Sequence, residues 1–162
     1  PPDLLVSADA RLIGLRTAAG VFIQRGPGAS DFTEQAWLQL WAAAQAAPLP
    51  GCDGAACVLW AAPKVVLLPR AADAAADAVA CGAALVVAAE PVRLKCAAPV
   101  IDRFTVYREG AQAVWLGAAG VRVLADRAER GERPWVLPVP TRTRIPSGVK
   151  LTPALTEIMP SH

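Results

Sequence analysis

The chain has 162 residues, of which 54% are hydrophobic and 19% charged, and its formal net charge is +2. This length suits one domain with a sizeable core, the charge is lower than a committed DNA-binding domain carries, and the longest apolar run, residues 79–89, is too short to cross a bilayer. The single histidine is the final residue, His162, so no imidazoles can converge on zinc and none lies inside a fold to serve a nucleophile, which argues against a histidine-dependent enzyme.

The chain starts Pro1-Pro2-Asp3, without a basic n-region or a cleavage pattern, and reads as a cut made just before a domain of a longer protein. Residues 4–6, 11–16 and 21–25 are expected to be short strands, with turn signals at Ala8-Asp9 and Ala19-Gly20. Gly26-Pro27-Gly28 breaks that run; it matches neither dinucleotide nor P-loop phosphate motifs and reads as a structural turn. A helix follows. Asp31 and Glu34 form a capping-box variant, with Ser30 as the competing cap. Trp37, Leu40, Trp41 and Ala44 make one apolar stripe, read as core, and Pro48 and Pro50 are expected to stop the helix.

Residues 57–60 and 64–68 read as a hairpin across Ala61-Ala62-Pro63. Residues 71–80 form an alanine-rich helix with Gly82 placed to end it, and residues 85–88 form a continuous apolar strand. Residues 102–109 are expected to be a short helix closed by Gly110, and residues 112–116 and 121–125 the last strands. Helices alternating with strands predict a layered α/β domain over residues 1–136. Beyond it, Pro138, Pro140, Pro146, Pro153 and Pro160 punctuate residues 137–162, which read as an extended or disordered tail.

The cysteines are Cys52, Cys57, Cys81 and Cys96. Buried thiols acting as small apolar groups are one reading. Zinc would call for C-x-x-C knuckles, which are missing. Two local disulfides, Cys52–Cys57 and Cys81–Cys96, are the favoured reading, and they place the chain in an oxidising compartment.

Basic residues gather late, at Arg122, Arg127, Arg130, Arg133, Arg142, Arg144 and Lys150, with Asp126, Glu129 and Glu132 among the first four. A solvated, charge-balanced loop accounts for them; the functional alternative is a phosphate-contacting rim with salt-sensitive binding. Arg93, Lys95, Arg103 and Arg108 form a second set around Cys96, although Arg103 and Arg108 do not share one helix face. No aromatic–basic alternation marks a stacking platform, so any DNA contact is expected to run from arginine to phosphate. Asp73 and Asp77, at i, i+4, read as the polar side of a surface helix, and Asp102 as a helix cap. Ser7, Ser30 and Ser147 lack a nucleophile-elbow context.

Several segments together resemble a known family. They are Pro2-Asp-Leu-Leu-Val-Ser-Ala-Asp-Ala-Arg11, Cys52-Asp-Gly-Ala-Ala-Cys57, Cys81-Gly-Ala-Ala-Leu-Val-Val87, Cys96-Ala-Ala-Pro-Val-Ile-Asp-Arg-Phe104, Gly110-Ala-Gln-Ala-Val-Trp-Leu116 and Gly131-Glu-Arg-Pro-Trp135. Their order and spacing resemble the C-terminal extramembrane region of the ComEC family of inner-membrane DNA-uptake channels, in its degenerate proteobacterial form, over about residues 2–136. The resemblance implies a domain at the periplasmic face of the inner membrane, with a degenerate metallo-β-lactamase-like fold, attached to a transmembrane channel portion of the same protein. Active members carry an H-x-H-x-D-H motif that this chain lacks. Ala89-Glu90-Pro91 stands where they place a histidine-bearing loop.

The expectation is a noncatalytic domain of natural transformation, without metal, cofactor or small-molecule substrate. It would shape the channel mouth or guide DNA, with Arg93, Lys95, Arg103, Arg108, Arg127, Arg130 and Arg133 as phosphate candidates. The alternatives are a Mg²⁺- or Mn²⁺-dependent phosphodiesterase held by Asp73, Asp77 and Asp102, and a protein-interaction module that docks other uptake components.

Overall fold

Side-chain alternation along the first strands sorts their residues onto two faces, and both faces are covered. The structure is a computed structural model that describes residues 1–49, 52, 54–69, 73–131 and 133–136. The expected tail, with Arg142, Arg144, Ser147, Lys150 and His162, lies outside the described residues, as does Glu132. Strands β1 (Leu4–Val6), β2 (Leu12–Thr17) and β3 (Gly20–Arg25) pair antiparallel. The late hairpin, β8 (Gln112–Gly117) and β9 (Gly120–Ala125), joins them through β1, giving the order β3-β2-β1-β8-β9. The two hairpins share a construction. Thr17-Ala-Ala-Gly20 and Gly117-Ala-Ala-Gly120 each close a two-residue loop, and Gly20 and Gly120 hold φ of 136° and 114°, a region that L side chains rarely adopt.

The second sheet runs β4 (Cys57–Ala61), β5 (Lys64–Leu68), β6 (Leu85–Ala88) and β7 (Val100–Ile101), with β4 antiparallel to β5 and the rest parallel. Leu4, Val6, Ile13 and Leu15 of the first sheet meet Val65, Leu67, Leu85 and Val87 of the second in one apolar cluster. Helix α1 (Asp31–Leu40) covers the outer face of the first sheet, where Leu38 and Trp41 pack on Leu5, Leu12, Val21 and Ile23. Helix α2 (Ala74–Ala80) and the segment 92–100 cover the outer face of the second. With both faces covered, β6 is buried at every position and β5 at four of five, which is why these strands read as continuous apolar runs rather than alternating ones. The result is a layered α/β architecture, helix on sheet on sheet on helix.

The structure corrects several expectations. Ser30, not Asp31, caps α1: its Oγ accepts from the Thr33 amide at 3.2 Å. Asp31 and Glu34 instead hold the Arg25 guanidinium, which donates to Asp31 Oδ1 at 2.6 Å and pairs with Glu34. The expected stripe is shorter than read. The helix ends at Leu40, which is exposed, and Ala42 turns the chain at φ 51° before any proline. Ala44 lies beyond the helix and is exposed. Helix α2 begins after Asp73, whose side chain accepts from the Ala76 amide at 2.8 Å, and it ends with Cys81 as its C-cap and Gly82, as expected, just past the end. Residues 71 and 72, where that helix was expected to begin, lie outside the described residues.

The helix 102–109 is α3 (Arg103–Glu109), with Asp102 as its cap and Gly110 closing it at φ 79°. The two-residue β7 and the five-residue α4 (Asp126–Arg130) carry no periodicity long enough to be read in advance.

Both cysteine pairs form as expected. Cys52 bonds Cys57 and Cys81 bonds Cys96, with Cα separations of 5.1 and 5.6 Å, inside the range a disulfide spans. Among the described residues no helix is long and apolar enough to cross a membrane.

Candidate nucleic-acid interface

Asp102 organises the edge of the molecule that carries Arg93, Lys95, Arg103 and Arg108. It is buried, and its Oδ1 accepts from the Thr105 amide at 2.9 Å, capping α3. Its Oδ2 accepts from the Val92 amide at 3.1 Å, drawing the loop that carries Arg93 and Lys95 against the start of the helix. The Cys81–Cys96 disulfide ties the same loop to the end of α2. At its other end α3 abuts α4. The Asp126 amide donates to Ala111 O at 2.9 Å, and a Cβ at Gly110 would lie 2.9 Å from Asp126 Oδ2. Two basic sets that are separate in sequence thus lie along one edge, in the order loop, α3, α4.

The expected phosphate candidates fare differently. Arg93, Lys95 and Arg108 are exposed and make no ion pair among the described residues. Arg103 reaches Glu90 at 3.3 Å, with both side chains exposed, so the pair holds it weakly. Arg130 pairs with Asp126 one helical turn away. Arg127 lines a cleft of about 330 Å³ between α3 and α4, together with Glu109, Ala125, Ala128 and Gly131. Arg133 lies past the end of α4, its guanidinium 5.7 Å from the ring of the exposed Trp135. Arg122 sits 3.8 Å over the ring of Trp115; a guanidinium stacked in this way is held by the aromatic face.

Two functional candidates escaped the sequence reading. Phe104 and Tyr107 are 61% and 64% exposed, far more than aromatic side chains usually are. On the helical wheel Arg103, Tyr107, Phe104 and Arg108 follow one another over about 140°. Linear order hides this: in Arg-Phe-Thr-Val-Tyr-Arg two residues separate the rings, and they become neighbours on one exposed arc only when the segment is wound into a helix whose buried position is Val106. The available signal was a short helix with one inward apolar residue and two aromatics left over.

The carboxylates proposed for a metal do not assemble. Asp73 and Asp102 are engaged as helix caps, and among the described residues no group of three or more His, Cys, Asp or Glu could hold an ion. Asp9 has a displaced pKa. Burial pushes its carboxyl up, but hydrogen bonds from the Ser7 hydroxyl, the Arg11 amide and its own amide, with the Arg11 charge, outweigh burial and hold it below its ordinary value. Compared with protein-family models, curated proteins and solved structures, the chain matches none.

Proposed function

We propose that this domain is a noncatalytic, periplasm-facing part of a ComEC-type DNA-uptake channel, and that it guides DNA along the edge formed by the 90–99 loop, α3 and α4. The observation that carries the reading is that edge, where Arg93 and Lys95 of the loop and Arg108 of α3 are exposed and make no ion pair among the described residues. Polyanion binding needs such a line of cations, and it needs no base contacts.

Three further points support it. The ordered likeness of residues 2–136 to the degenerate form of that family suggests the whole context. A layered pair of sheets with helices outside suits a degenerate metallo-β-lactamase-like fold. Disulfides persist in an oxidising, extracytoplasmic compartment, which suits the periplasm. The loop standing where active members carry histidines, Ala89-Glu90-Pro91, borders the basic edge through the Glu90–Arg103 pair. In this reading a site that once gripped metal has become a rim for phosphate.

The test is retention of duplex DNA by the 162-residue chain across a salt series, with and without added Mn²⁺. Binding at low salt that weakens steeply as salt rises, and DNA that stays intact, are expected. Absence of retention even at low salt would overturn the guiding role, and robust Mn²⁺-dependent cleavage would overturn the noncatalytic one.

A further inference from the structure

The exposed arc of α3 is more than a place for phosphate. Phe104 and Tyr107 stand at i, i+3, so their Cβ atoms are about 5–6 Å apart on the helix surface. Arg103 and Arg108 bracket them, and Glu109 falls on the other side of the helix. Val106 fixes α3 in the core and leaves the two rings bare.

We propose that this arc binds single-stranded nucleic acid, with unstacked bases lying on Phe104 and Tyr107 and the flanking arginines holding the adjoining phosphates. The inference rests on the DNA-guiding reading and adds the strand state of the ligand. A duplex keeps its base faces stacked inside and offers only phosphates, so bare rings gain nothing from it. A single strand offers base faces and phosphates together, and stacking tolerates any sequence because every base has a π-face.

Charge favours this occupant over a membrane or a protein. Beyond the rings the exposed cations continue onto the loop held by Asp102, as Arg93 and Lys95, neither of which makes an ion pair among the described residues. A linear polyanion follows such a track. Two rings on a seven-residue helix fall well short of the roughly 800 Å² per partner that a stable protein interface buries.

The experiment compares three ligands at low salt by fluorescence anisotropy: a labelled oligothymidylate, an abasic strand of the same length, and a duplex. Each is titrated with the full chain and with the double variant Phe104→Ala/Tyr107→Ala, whose thermal melting is recorded first. Wild type should bind the base-bearing strand more tightly than the abasic one. The double variant should lose about tenfold or more on the base-bearing strand while abasic and duplex binding hold. Phe104→Trp should retain full binding. Equal affinity for base-bearing and abasic strands would overturn stacking and leave the phosphate reading standing. Failure to bind any of the three ligands would overturn both. An unchanged oligothymidylate affinity in the double variant, with lost adhesion to anionic phospholipid vesicles, would also overturn the proposal and assign the rings to a membrane.

Discussion

At the scale of single residues, Gly14 decides how closely α1 approaches the first sheet. A Cβ there would meet Trp41 Cη2 at 2.8 Å and Trp37 Cε3 at 3.0 Å. Both rings are parts of large side chains packed against the sheet, and Trp41 is fixed further by its Nε1, which donates to Pro2 O at 2.8 Å. Gly14→Ala therefore forces a ring or the helix outward and should cost about 1–3 kcal/mol, read as a lower urea midpoint with unchanged slope. Asp9 supplies a second residue-level prediction. Its folded pKa lies below the ordinary value, so its ionised form contributes stability above the unfolded carboxylate pKa. That contribution is lost as pH falls through the folded pKa. Asp9→Asn should flatten the acid limb of the stability profile, measured as denaturant midpoint against pH, and leave the alkaline limb unchanged.

At the scale of elements, the disulfides act as local staples on segments with little core of their own. Cys52–Cys57 closes a separation of 5 residues and Cys81–Cys96 one of 15. Loop-closure entropy makes the longer one worth about 3 kcal/mol and the shorter about 2. Cys81→Ser/Cys96→Ser should lower stability by the larger amount, measured by chemical denaturation, and loosen the loop bearing Arg93 and Lys95. Elements with strong local signals were legible in advance. The apolar runs at 64–68 and 85–88 became β5 and β6 because burial on both faces demands such runs. Asp102 and Gly110 marked both ends of α3 because cap chemistry is local. What was not legible depended on partners distant in sequence. Asp31 and Glu34 look like a capping box until Arg25 arrives from β3 to claim them. Leu40 looks like core until the helix ends on it and leaves it exposed. Strand β7 exists only because β6 offers it an edge. The candidate interface was half legible: its cations were named from composition, but the rings between them needed a helix to bring them together.

At the scale of the whole molecule, the proposed function depends on how charge is distributed over one edge. A net charge of +2 is too small for long-range attraction to a polyanion, so the local arrangement must supply it. The sheet order β3-β2-β1-β8-β9 sets β2 apart from β9 and the α4 that follows it, and Arg11 stands at the entry to β2. This gives a control for charge as such. Each phosphate contact contributes about 0.9 to the slope of log K against log salt on duplex DNA. Arg93→Ala/Lys95→Ala removes two exposed cations from the edge, so the slope should fall by about two units with little change in melting temperature. Arg11→Ala removes one exposed cation from the entry to another strand of the sheet, where its neighbours are Asp9 and Gly28 O, and it should leave the slope as it was. If both changes shifted the slope in proportion to charge removed, binding would follow net charge alone, and the edge formed by the loop, α3 and α4 would lose its standing as a track for DNA.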